Sequence, residues 1–125
     1  MSAPARILVV DDHAPNVELV SFVLDAAGFE VHGAVDAEQA LDRLAQWRPD
    51  LILMDIQLPG IDGLSLTRRL KADDATRSIR VVAMTAHAMR GDEARLREAG
   101  CDGYIAKPID VATLPDRVRA LLAPS

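Results

Sequence analysis

Leu51-Ile52-Leu53-Met54-Asp55 decides the fold: four apolar residues in succession, without alternation, closed by a carboxylate. A strand with one face in water alternates apolar and polar side chains. An unbroken short run instead implies burial on both faces, as in a parallel sheet covered by helices. Working outward, the same form recurs at residues 7–10, 81–84 and 104–106, with 30–34 as a weaker fifth candidate.

Helical periodicity fills the gaps. Ala37, Ala40, Leu41 and Leu44 fall at i, i+3, i+4 and i+7, with Asp36 placed to cap the N-terminus. Val17, Val20 and Leu24 form a stripe in the first gap, where Pro15 suits a first helical turn. Leu66 and Leu70 support a third helix over about 63–72, and Val111, Leu114, Val118, Leu121 and Leu122 line the last. The segment 90–99 is polar, with only Leu96 and alanines to face inward, so a thin, lightly held fourth helix is expected. Gly28, Gly63 and Gly100 read as punctuation at element ends.

Strand and helix thus alternate five times, which predicts an α/β fold: one five-stranded parallel sheet with helices on both faces. Right-handed crossovers put every strand C-terminus on one edge, where sites in such sheets lie. The 125 residues suit one domain, and no repeat, low-complexity tract or linker interrupts them.

Composition narrows the function classes. Half the residues are hydrophobic and 26% charged, an ordinary balance for a soluble globular domain. Aromatics are limited to Phe22, Phe29, Trp47 and Tyr104, so the core must be aliphatic. A formal charge of −5 without a basic block argues against nucleic acid as a partner. The densest basic stretch, Arg68-Arg69-Leu70-Lys71, suits the C-terminal turn of its helix. A single cysteine, Cys101, excludes an internal disulfide, suits a cytoplasmic protein, and reads as a small core or loop residue. The apolar run at 7–10 is stopped by Asp11-Asp12, far short of a signal or membrane span.

The residues that end the runs carry the chemistry. Asp11-Asp12 close the first, Asp55 the third, Thr85 the fourth and Lys107-Pro108 the fifth. Any one of these acids alone is an ordinary turn or cap residue; Asp11, Asp12, Asp55, Thr85 and Lys107 together, at four strand ends of one sheet, are a constellation. Acids held close repel unless a cation is present. All-oxygen ligation by carboxylates suits Mg²⁺, while His13, His32 and His87 are scattered and offer no zinc site. A divalent ion beside a carboxylate, a hydroxyl and an ammonium is the equipment of phosphoryl transfer. Asp55, alone at its strand end, is the natural nucleophile of an acyl-phosphate step.

Asp11-Asp12, Leu51-Ile-Leu-Met-Asp55, Leu58-Pro59-Gly60-Ile61-Asp62-Gly63, Met84-Thr85-Ala86 and Ala106-Lys107-Pro108 resemble the receiver domains of two-component response regulators, across residues 6–122. The spacings of 43 residues from Asp12 to Asp55, 30 on to Thr85 and 22 on to Lys107 are typical of that family. The stretch from Thr85 to Cys101 is most similar to stand-alone DivK-like receivers and to receiver modules of hybrid histidine kinases. A start at Met1 and an end just after the last helix favour the stand-alone form, a single receiver domain without an effector domain.

The resemblance implies a flavodoxin-like (βα)5 receiver fold and a role for each site residue. Asp55 would be the phosphoacceptor, supplied by a phosphohistidine on a sensor histidine kinase or a histidine phosphotransfer protein. Asp12, Asp55 and the backbone carbonyl of Gln57 would ligate Mg²⁺ directly, with Asp11 acting through water. Thr85 would bond the phosphoryl oxygen and Lys107 would pair with it, the Lys107-Pro108 peptide being cis. Tyr104 would swing inward as Thr85 moves, reshaping the face of the fourth helix, fifth strand and fifth helix that a downstream protein target reads. Such a protein is a monomer or a weak phosphorylation-dependent dimer, and a regulator rather than an enzyme. Gln57 and His87 occupy positions that tune phosphoryl lifetime, and His13 and Gly60 are minor departures from the pattern.

Two rivals share parts of this reading. A haloacid-dehalogenase-type phosphatase also forms an aspartyl phosphate, but needs a second acid two residues after its nucleophile, where His13 follows Asp11. A nucleotide-binding module would want a glycine-rich turn after the first strand, and Asp11-Asp12-His13-Ala14 has no glycine.

Overall fold

The computed structural model describes residues 4–58, 62–86 and 92–123. Ten elements alternate along the chain: β1 (Arg6–Val10), α1 (Ala14–Ala26), β2 (Glu30–Ala34), α2 (Ala37–Gln46), β3 (Leu51–Asp55), α3 (Gly63–Ala72), β4 (Arg80–Thr85), α4 (Asp92–Ala99), β5 (Gly103–Ala106) and α5 (Leu114–Leu122). The five strands form one parallel sheet in the order β2-β1-β3-β4-β5. The chain turns back after β2 to place β3 on the other side of β1, so a crevice forms at the carboxyl ends of β1 and β3.

The non-alternating runs are buried on both faces, and the period of two sorts them. Ile7, Val9, Leu51, Leu53, Val82, Met84 and Ile105 face one core, closed by Val20 and Leu24 of α1 and Leu114 and Val118 of α5. Leu8, Val10, Ile52, Met54 and Val81 face the other, under Ala37 and Ala40 of α2 and Leu66 and Leu70 of α3. Every residue of β3 is buried, as its sequence demands, whereas β2, an edge strand, buries only Ala34 fully.

Local chemistry starts and stops the helices. The Gln39 N–H donates to Asp36 Oδ1 at 2.8 Å, and the Ser65 N–H to Asp62 Oδ1 at 2.8 Å, so both acids cap their helices. Gly28 and Gly100 end α1 and α4 in the left-handed region, φ 101° and 102°. Gly63 begins α3, as expected, but it is more than punctuation: a Cβ there would lie 2.2 Å from the Asp55 carbonyl oxygen and 2.6 Å from Ile56 Cα. This glycine is required because α3 starts against the end of β3.

Two further details differ from expectation. Val111 lies in the turn before α5, which begins at Leu114 with Pro115 in its first turn. Lys71 is not simply a cation at a helix end: its Nζ donates to Ile79 O (2.8 Å), Arg77 O (3.3 Å) and Asp102 Oδ2 (2.8 Å). It thereby ties α3 to the entry of β4 and to the turn before β5. The fourth helix is as thin as its sequence suggests. Leu96 and Ala99 are its residues in the core, packed with Ile56, Leu64 and Ala83, and one buried leucine contributes only about 1.5–3 kcal/mol. Arg90 and His87 lie outside the described residues.

Candidate functional site

The strand ends bring most of the expected residues to one point. Asp11, Asp12 and Asp55 offer carboxylate oxygens that all lie within 4.8 Å of one another. Asp11 and Asp55 are buried, at 1% and 4% exposure, and Asp12 is exposed. β1 pairs directly with β3, Val10 opposite Met54, so the residue after β1 and the last residue of β3 must emerge side by side. The acid cluster follows from strand register.

Each buried acid is held by the backbone that follows it. The His13 N–H donates to Asp11 Oδ1 at 2.9 Å, and the Gln57 N–H to Asp55 Oδ1 at 3.0 Å. Both are turn bonds made two residues on, the usual conformational habit of aspartate. The second oxygens face a cation. Lys107 Nζ lies 3.2 Å from Asp55 Oδ2 and 3.5 Å from Asp11 Oδ2. Lys107 is placed by the sheet: its N–H donates to Thr85 O at 2.8 Å, carrying the β4–β5 pairing one step past the strand. The Lys107-Pro108 peptide is cis.

Electrostatics of the cluster are unbalanced. Burial pushes the Asp55 carboxyl above its ordinary range, and the nearby Asp11 charge adds to this. The Gln57 N–H and the Lys107 ammonium oppose the rise without cancelling it. Lys107 pairs with two of the three clustered carboxylates, Asp11 and Asp55, so the point where the acids meet favours a further cation. Hard, all-oxygen donors in a cluster of this charge fit a divalent ion of the Mg²⁺ type.

Thr85 is buried at the end of β4, one strand over from Asp55, beside the Lys107 backbone. Tyr104 stands on β5, half-buried, packed against the Leu96 cluster rather than in the site. Asn16 is a site residue that sequence reasoning missed. Its Nδ2 donates to Asp11 Oδ2 at 3.4 Å from the first turn of α1. The signal was an amide five residues after the first acid, meaningful only once a helix is known to begin at Ala14. A cleft of about 230 Å³ opens beside the site, lined by Asn16, Leu19, Lys107, Pro108 and Ile109 among others. On the outer side of α1, Leu19 and Phe22 are 51% and 74% exposed.

The parallel sheet ending in an acid triad, a buried threonine and a lysine before a cis proline defines a class of protein. The chain belongs to the response regulator receiver domain family, whose model matches residues 7–119. It is 44% identical over 119 residues to the polar-differentiation response regulator DivK of Brucella anthropi, covering 95% of this chain and 97% of that one. Among solved structures, the receiver domain of a signal transduction histidine kinase from Syntrophus aciditrophicus has a TM-score of 0.84 at 32% identity, covering 94% of this chain and 89% of that one. The chemotaxis response regulator CheY4 of Vibrio cholerae shares the fold, with a TM-score of 0.89 at 24% identity over 94% and 98% of the two chains. The molecule is thus a response regulator receiver domain of two-component signalling, a class that generally accepts a phosphoryl group rather than turning over a substrate. Among the described residues no helix is long and apolar enough to cross a membrane.

Proposed function

We propose that this chain is a phosphoryl-accepting switch in which Asp55 takes its phosphoryl group from a phosphohistidine in a Mg²⁺-dependent reaction. The observation that carries the reading is the meeting of three carboxylates within 4.8 Å with Lys107 Nζ 3.2 Å from Asp55. Asp11, Asp12, Asp55 and the Gln57 carbonyl would hold the ion, Asp11 through water. When bound, the ion supplies the positive charge that lets the acids stay ionised and neutralises oxygens of the transferring group.

The remaining steps belong to the chain itself. The Gln57 N–H holds the Asp55 carboxylate by one oxygen, so that it cannot rotate freely. One carboxylate oxygen attacks phosphorus in line as the N–P bond breaks, and the donor imidazole leaves with the electron pair and recovers its proton balance from solvent. Lys107, shared between Asp55 and Asp11 beforehand, pairs with the phosphoryl oxygens. The Thr85 hydroxyl donates to another of them. Movement of Thr85 frees Tyr104 to turn inward and reshapes the face of α4, β5 and α5. The light anchoring of α4 suits two arrangements of similar energy.

The phosphodonor, a sensor histidine kinase or a histidine phosphotransfer protein, docks near α1. The cleft beside Lys107, lined in part by Leu19, offers apolar area close to the site, and Phe22 adds exposed apolar area on the same helix. A downstream protein target reads the switched face, and the chain works in the cytoplasm as a single receiver domain, a monomer or a weak dimer formed on phosphorylation. A second reading is a receiver module of a hybrid kinase passing its phosphoryl group to a phosphotransfer protein. The likeness to the Syntrophus aciditrophicus kinase receiver favours it. Incubation with a radiolabelled phosphohistidine donor and Mg²⁺ tests the proposal. Label should pass to the wild type and not to Asp55→Asn; equal labelling of both would sink it.

A further inference from the structure

Asp11 is the most deeply buried of the three acids, and its two oxygens are treated differently. Oδ1 is fixed by the His13 N–H at 2.9 Å. Oδ2 faces Lys107 Nζ at 3.5 Å and the Asn16 side-chain amide at 3.4 Å. The two donors are not equivalent. The ammonium is mobile, charged and shared with Asp55 at 3.2 Å; the amide is neutral, titrates nowhere, and stands on the first turn of a helix stiffened by Pro15.

A neutral donor orients a carboxylate without cancelling its charge, so the acid remains a full anion toward a cation. When Lys107 turns to a phosphoryl group, Oδ2 loses its ammonium and keeps Asn16. Groups that orient metal-binding acids typically matter tenfold or more to metal affinity although they touch no metal. We propose that Asn16 is a positioning residue for divalent-cation binding, holding Asp11 Oδ2 through its Nδ2 amide. This rests on reading the acid cluster as a Mg²⁺ site.

Calorimetric titration of the full chain with MgCl₂ at pH 8 tests it through two substitutions. Asn16→Leu keeps the approximate volume and removes the donor. Asn16→His places a ring N–H where the amide stood. The Leu variant should bind Mg²⁺ roughly tenfold more weakly, and the His variant should stay within about threefold of wild type, as expected for a retained hydrogen bond. Melting without Mg²⁺ should be nearly the same for all three. Wild-type affinity in Asn16→Leu overturns the proposal. So does an equal loss in both variants, which would assign Asn16 to packing. Absence of Mg²⁺ binding by the wild type overturns the site reading and this inference together. Phosphorylation by acetyl phosphate is scored separately: a wild type that binds Mg²⁺ but takes no phosphoryl group refutes the proposed function and leaves Asn16's role standing.

Discussion

Replacing Gly63 by alanine places one methyl group where the structure has no room. The added Cβ would meet the Asp55 carbonyl oxygen at 2.2 Å and Ile56 Cα at 2.6 Å, against 3.4 Å for ordinary contact. Both obstacles are backbone, so no side chain can rotate away; α3 or the end of β3 must move by about 1 Å. Overpacking of this kind costs roughly 1–3 kcal/mol, which for a domain of this size is a melting-temperature loss of about 4–12 °C. The same displacement acts on the residue whose carboxylate is the proposed nucleophile, and misplacement by about 1 Å can cost on the order of 100-fold in rate. Gly28→Ala is the control. It has φ 101° and no atom within 4 Å of the added methyl, so it bears only backbone strain, far from the site. Differential scanning calorimetry and phosphorylation by acetyl phosphate, measured on both variants, separate the effects. Gly63→Ala should lose stability and rate, and Gly28→Ala stability alone. A Gly63→Ala protein with wild-type melting and wild-type rate would refute the claim that α3 is seated against Asp55.

Asp55→Asn should raise the melting temperature in Mg²⁺-free buffer at pH 7–8. Burial raises the folded-state pKa of Asp55, so the unfolded chain releases this proton first as pH rises. Stability falls between the ordinary and the raised value and stays lower above it. The advantage of the asparagine should therefore vanish in acid below the ordinary carboxylate range, and its persistence there would point to some other cause. Lys71→Met removes the donor shared by Ile79 O, Arg77 O and Asp102 Oδ2; a loss of about 1–3 kcal/mol is expected in urea unfolding, because partly buried acceptors lose their partner. Burial pushes the Cys101 thiol up, so alkylation by iodoacetamide at pH 7.5 should run at least about tenfold slower than for a free thiol and recover in denaturant.

Much of this molecule can be read along the chain, because the deciding features are local. A strand buried on both faces announces itself by an unbroken apolar run, as at β3, and Asp36 announces the helix it caps. The site acids are legible for a related reason: a parallel sheet sends all its strand ends to one edge, so residues that end strands must meet. What could not be read depends on contacts between distant segments. Gly63 looks like mere punctuation at the start of a helix until α3 is seen against the Asp55 carbonyl. Lys71 looks like a dipole partner until Ile79 and Asp102 arrive from two other loops. Asn16 is an ordinary polar residue until the first turn of α1 folds over Asp11. Val111 continues a helical period that the Pro115 first turn starts later.

Treatment with acetyl phosphate and Mg²⁺, followed by borohydride trapping and peptide mass mapping, tests whether Asp55 carries the phosphoryl group. Reduction should occur at Asp55 alone and be abolished by EDTA. Trapping at Asp11 or Asp12 instead, or equal trapping with and without Mg²⁺, would contradict that assignment.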